Sequence, residues 1–238
     1  MPWLVQLFVL LCVLSLTGCQ NQTMDGIQDQ AADEIQLIDN AAQYLRESGN
    51  GHMDGRIQVR GAGSFSDYSQ FIEFDLIYAV QDEAIVYFAK YAVDGQSYWE
   101  YSDGKATYLS RDQMEWQTAE LPFQLSTEEL PTPLDLFYSG IAHRESVISK
   151  SQKPVGDGVQ IEITAKSDAF HMPWLNNNSA MPLSASAIIL LDQSGQYKEA
   201  VITASSDVEM DGYVGALHVE MDVAFGEFGE HPVISRPW

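Results

Sequence analysis

The stretch ALHVEMDVAF, residues 216–225, sets Leu217, Val219, Met221, Val223 and Phe225 against His218, Glu220 and Asp222. A strict period of two keeps one side of a β-strand apolar and the other wet, and no helix can hold such a stripe on one face. The same alternation occurs in RIQVRGAG through Ile57 and Val59, and in FIEFDLIYAV through Ile72, Phe74, Leu76, Tyr78 and Val80. It returns in VQIEITAK through Val159, Ile161, Ile163 and Ala165. Asp-Gly pairs punctuate the chain at 25–26, 54–55, 94–95, 103–104, 157–158 and 211–212. Both residues tolerate positive φ, so each pair is a hairpin signal. The segment YAVDGQSYWEYSDGKATYLS therefore reads as strand, turn, strand, turn, strand. No βαβ alternation points to a parallel sheet, so antiparallel strands are expected.

Two segments carry a different period. Ile27, Ala31, Ile35, Ile38, Ala42 and Leu45 recur at spacings of three and four, which predicts an amphipathic helix over 27–46. In STEELPTPLDLFYSGI, Thr132 followed by Pro133 fits the cap and first turn of a short helix. The fold class expected is α+β: a curved antiparallel sheet packed around an N-terminal amphipathic helix and one or two short helices. No Pro/Ser-rich linker and no long repeat divides the chain, so residues 27–238 are expected to form one domain.

The first residues set a location. Residues 2–17, PWLVQLFVLLCVLSLT, form an apolar run too short for a comfortable membrane span and suited to a signal-peptide core. Leu16-Thr17-Gly18-Cys19 then gives way to polar QNQTMDG. This phrase resembles the bacterial lipobox. The resemblance implies a signal peptide over 1–18, cleavage between Gly18 and Cys19, a diacylglycerol thioether on Cys19 and a short tether over 19–26. Two acyl chains at about 0.8 kcal/mol per buried methylene would hold the protein with about 20 kcal/mol, which is effectively permanent. The expected place is the extracytoplasmic face of the cell membrane. No Lys or Arg precedes Arg46, which departs from the basic start of an ordinary signal peptide. The other cysteine, Cys12, lies inside the apolar run, so the mature chain has no partner for an intrachain disulfide.

Charge and motifs exclude more than they assign. With 34 acidic and 12 basic residues the net charge is −22, which repels nucleic acid. Eight of the acids (Glu199, Asp207, Glu209, Asp211, Glu220, Asp222, Glu227, Glu230) fall between Lys198 and Arg236 with no base among them. They form either a solvated face or a site for cations or a basic partner. His218, Glu220 and Asp222 share a strand face at steps of about 6.6 Å, but no recognised metal-ligand pattern includes the five histidines. GAGSFSD at 61–67 lacks the spacing of a nucleophile elbow, and no phosphate-binding glycine loop occurs. No enzyme, cofactor or metal is expected.

Aromatic residues are more informative. Tyr87, Phe88, Tyr91, Tyr98, Trp99, Tyr101, Tyr108 and Trp116 crowd neighbouring strands, and AIVYFAKYA is bulky and apolar on both faces. That pattern fits an ordinary two-sided core. It also fits a curved sheet lining an apolar cavity, with Phe170, Met172, Trp174, Leu175 and Met181 as its lid.

The order of lipobox, amphipathic helix, strand meander with DGQSYWEYSDG, short helix, VQIEITA, loop and terminal strands ending VAFGEFGEHPVISRP resembles the bacterial lipoprotein-carrier-like (LolA/LppX-type) fold. It is closest in layout to uncharacterised lipoproteins of Gram-positive bacteria, in which a strand pair such as IILLDQSGQYKEAVIT precedes the last strand. The resemblance spans 27–237 and implies an incomplete β-barrel around helices with a cavity for acyl chains. It implies a monomeric, non-enzymatic protein that binds a lipid or other apolar ligand. The alternative is a cell-envelope protein with a filled core that docks a partner through its acidic face.

Overall fold

Eleven strands follow one another almost entirely as hairpins, and the hairpins add up to one sheet. The computed structural model describes residues 33–82, 84–118, 132–172, 179–210, 213–226, 228–229 and 234–238. Helix α1 (Glu34–Ser48) is followed by β1 (Asn50–Gly63), β2 (Ser69–Gln81), β3 (Ala84–Val93), β4 (Gln96–Ser102), β5 (Thr107–Ser110) and the short β6 (Gln117–Thr118). Then come α2 (Thr132–Ser139), β7 (Val147–Val155), β8 (Gly158–Ala165), β9 (Ser179–Leu191), β10 (Tyr197–Met210) and β11 (Tyr213–Phe225). The sheet order is β6-β5-β4-β3-β2-β1-β11-β10-β9-β8-β7, every pairing is antiparallel, and β6 and β7 remain as edges. The expected α+β class, a curved unclosed sheet with an N-terminal helix and a short second helix, is what forms. Residues Glu34–Trp238 make up one compact unit.

Alternation aims one side chain set inward. Ile57, Val59, Ile72, Phe74, Leu76, Tyr78, Ile161, Ile163, Val219, Met221 and Val223 are all buried on the helix-facing side of the sheet. Helix α1 meets them with Ile35, Ile38, Ala41, Ala42 and Leu45. Helix α2 adds Leu134, Leu136 and Phe137 to the same core. Each fully buried Ile or Leu contributes roughly 1.5–3 kcal/mol, so the α1 stripe accounts for the helix being held there. Residues 27–32, which carry the start of the expected stripe, lie outside the described residues. From Ile35 onward the predicted positions are the buried ones.

The helices are also tied to each other. Arg46 donates from Nη1 to the carbonyl of Tyr138 at the end of α2, and Arg144 pairs with Asp39 of α1. Glu34 in the first turn and Arg46 in the last suit the helix dipole.

Two of the Asp-Gly signals do not behave as expected. Asp94-Gly95 joins β3 to β4 with φ of 49° and 81°, the mirror-image turn that matches strand twist. Asp54-Gly55, in contrast, lies inside β1 and turns nothing. A Cβ on Gly55 would stand 2.0 Å from the carbonyl oxygen of Asp222, so this glycine serves the close approach of β11. The β7–β8 turn falls one residue early, on Gly156-Asp157, because Val155 pairs with Gly158. Residues 25–26 and 211–212 lie outside the described residues.

Candidate functional site

The crowd of aromatics divides between the two faces of β2–β5, and the two faces are covered differently. On the outer face, Ala79, Val86 and Tyr101 form a second apolar cluster with Ile77, Phe88, Tyr108 and Trp116. The last residues of the chain lie over it. Ile234 is buried in the cluster, and the Trp238 ring stands 4.8 Å from Tyr108 and 5.6 Å from both Tyr101 and Trp116. Arg236 binds Asp103 at 2.5 Å and lies over the Trp238 ring. Burial alone would raise the Asp103 carboxyl, but backbone N–H groups of Ala106 and Lys105 and the Arg236 guanidinium outweigh it and hold it below its usual range. The bulk on this face of AIVYFAKYA is therefore covered by chain, not by a ligand.

The inner face is different. Register places Tyr87 opposite Ser102, Ala89 opposite Glu100 and Tyr91 opposite Tyr98, all on the helix-facing side. Tyr87 and Ala89 are buried, whereas Tyr91, Tyr98 and Glu100 are partly open. The Tyr87 hydroxyl donates to Glu100 Oε1 at 2.5 Å. Glu100 Oε2 has no donor among the described residues, and no described base pairs with this carboxyl. Burial pushes the Glu100 carboxyl up, and the Tyr87 hydrogen bond opposes only part of that. Burial and then the nearby Glu100 charge raise the phenols of Tyr87 and Tyr91 as well.

Beside this shelf lies an open cleft of about 660 Å³ lined by Tyr98, Leu109, Arg111, Asp112, Glu115 and Gln117, among others. Leu109 is the cross-strand partner of Glu100 on β5, and Tyr98 precedes Glu100 by one step on the same face. Arg111 lies 5.7 Å over the Tyr98 ring. Polar groups make up more than half of the wall of this open cleft; of two smaller clefts, the one between the helices at Asp39 and Arg144 is mainly polar, and the one at the β9–β10 turn near Asp192 is lined about equally by polar and apolar groups.

The expected site residues are only partly gathered. Phe170 and Met172 are fully buried in the main core, and Phe170 bridges to Ile141. Met181 lies in β9 opposite Asp207. Trp174 and Leu175 lie outside the described residues, as do Gly18 and Cys19. His218, Glu220 and Asp222 do not converge on a metal. His218 Nδ1 is 2.7 Å from Ser205 Oγ, Asp222 binds Arg56, and no metal-binding cluster occurs among the described residues. Sequence reading missed Glu100 and the terminal strap. An acid inside SYWEYS, at an inward position of an aromatic strand, was the available signal.

Comparison with known proteins yields shapes only. No protein-family model and no curated protein matches the chain. Among solved structures it is similar to LprF from Mycobacterium bovis, with a TM-score of 0.47, 10% identity, and coverage of 86% of this chain and 96% of that one. A DUF1329 family protein from Desulfovibrio piger aligns at a TM-score of 0.32 and 9% identity over 86% of this chain and 96% of its own. A LolA superfamily protein from Nitrosomonas europaea aligns at 0.28 and 10% identity over 85% and 96%. Likeness at this level decides neither ligand nor activity.

Proposed function

We propose that the protein is held at the extracytoplasmic face of the cell membrane by a lipid on Cys19, and that it binds an apolar or amphipathic ligand without catalysing a reaction on it. The observation that supports this is the half-buried inner face at the β3–β5 end. There Tyr91, Val93, Tyr98 and Leu109 are neither sealed in the core nor fully exposed, and an open cleft is lined by Tyr98 and Leu109. The opposite face of the same strands is covered by the chain's own tail, so the inner face is the side left to receive a ligand. Apolar surface beside an opening, with a few placed polar groups, is the usual composition of a small-molecule site.

The binding test is extraction and mass spectrometry of the purified protein, together with titration by a fluorescent fatty acid. A co-purifying lipid, or saturable uptake displaced by lipid, is expected. A protein that carries nothing and takes up nothing overturns the proposal and returns the question to partner capture through the acidic face. The anchor has its own test. Cys19→Ser is expected to move the protein from the membrane fraction to the soluble one, and unchanged membrane retention would refute the lipid anchor.

A further inference from the structure

We propose that the open cleft between α1 and the end of α2 binds a phosphate ester through the guanidinium groups of Arg46 and Arg144. This cleft is separate from the one at Tyr98 and Leu109, and the proposal does not depend on an apolar ligand binding there.

The charge of the cleft runs against that of the chain. Acids outnumber bases by 34 to 12 over the whole sequence, yet the charged groups lining this opening of about 340 Å³ are two arginines and one acid, Asp39. Its floor is firm, because Ala42 and Ile141 are only 1% and 6% exposed. Backbone geometry shapes it. Gly140 follows α2 with a φ of 63°, and a Cβ there would stand 2.9 Å from Asp39 Oδ1 and 3.5 Å from the Ala42 methyl. The missing side chain lets the end of α2 settle on α1 and brings Arg46 and Arg144 to one opening.

Both arginines are held in place by bonds that use little of their donor capacity. Arg46 Nη1 donates to the Tyr138 carbonyl, and Arg144 Nη2 donates to Asp39 Oδ2. A guanidinium carries five N–H donors, so each spends one on the protein and keeps the rest of its fork for another acceptor. Planar forks already fixed in position are suited to the terminal oxygens of a phosphate, which can take bonds from both at once. The same opening adds the Ser139 hydroxyl and the Asn40 amide, whose oxygen accepts from Gln36 and whose nitrogen is left to donate. A cation would find only Asp39, which Arg144 already neutralises.

A titration of the purified protein tests this, followed by NMR through the Nε–Hε resonances of Arg46 and Arg144. It is run at an ionic strength of about 0.15 M, where a Debye length of about 8 Å screens the distant acids. Two soluble probes separate the sources of the phosphate. Glycerol 3-phosphate is a free monoester, and glycerophosphoethanolamine is the diester head of a lipid. Saturable shifts at one site per chain, with a dissociation constant of about 1 mM, are expected for at least one probe. Tighter binding of the monoester assigns the site to soluble phosphate esters, and tighter binding of the diester assigns it to lipid heads. Arg144→Gln is expected to weaken binding about tenfold. Arg60→Gln removes the same charge from β1, where Arg60 is bonded to Gln58, and should leave binding within about twofold of its original value. Arg144 also supports the cleft, so a loss on its own does not separate contact from support. Asp39→Asn removes the one acid and is expected to tighten binding about threefold, a gain that damage to the fold does not produce. The proposal is overturned if neither probe shifts the two arginines, if the two arginine variants act alike, or if Asp39→Asn fails to tighten binding.

Discussion

The carboxyl of Glu100 is raised by its burial, and the groups facing it are Tyr87 and Tyr91, both of which stay neutral because their own phenols are raised. Glu100 is thus a carboxyl whose charged form its surroundings oppose. An acid whose folded pKa lies above its unfolded value favours the folded state only while it is protonated. That contribution is complete below the unfolded pKa and is lost as pH rises through the folded one. Thermal melts of the unaltered protein and of Glu100→Gln should therefore converge in acid, and the variant should melt higher at neutral pH. A variant that melts lower at neutral pH would show that the charged form is stabilised where it stands. At the core, Leu45 is fully buried at the end of the α1 stripe. Its replacement by Ala should cost about 2–5 kcal/mol in urea unfolding, from the lost burial and the cavity left behind.

Among the elements, the β1–β11 pair and the terminal strap each invite a specific change. Gly55 lets the Asp222 carbonyl approach to a distance at which a Cβ would stand 2.0 Å away, with Phe74 on the other side. Gly55→Ala therefore has to break the β1–β11 ladder at Gly55–Val223, and a loss of about 3 kcal/mol is expected in denaturant unfolding. The strap lies on a weaker footing. Trp238 is 53% exposed, but Ile234 is buried in the outer cluster and Arg236 is held by Asp103. Ile234→Ala should cost about 2 kcal/mol and raise the binding of an apolar dye, because Tyr101, Tyr108 and Trp116 lose their cover. Dye binding that does not change would mean that the outer face is sealed without the strap.

For the molecule as a whole, the decisive fact is that β1, the first strand, pairs with β11, the last, in the middle of the sheet order. The β2–β6 wing and the β7–β10 wing meet only through that pair within the sheet. A chain ending at Met210 should thus lose the cooperative unfolding transition seen in circular dichroism, not merely some stability. A sharp single transition in that truncation would show that the two wings hold together through the helices alone. So distant a pair, in a sheet built wholly of antiparallel strands, places refolding in the slow range of β-rich topologies.

Much of this was written into the sequence. Period-two runs such as Leu217–Phe225 and Ile72–Tyr78 fixed which side chains face the core, because alternation admits only one assignment of faces once one face is apolar. The α1 stripe from Ile35 to Leu45 and the Thr132-Pro133 start of α2 were local in the same way. So were the turns at Asp94-Gly95 and Asp103-Gly104, whose backbone needs are met by the residues themselves. What lay beyond reach depended on which strands become neighbours. Asp54-Gly55 has the composition of a turn, and only the approach of Asp222 from β11 makes it part of a strand. Phe88 and Tyr101 read as surplus bulk until Ile234 and Trp238, far along the chain, are laid over them. Val80 continues its apolar stripe and yet is 44% exposed, while Ala79 beside it is buried under that second cluster. Glu100 shows the division most sharply. Its side of the strand follows from alternation, but its place between Tyr87 and Tyr91, without a base to neutralise it, exists only once β3 and β4 are paired and curved toward the helices.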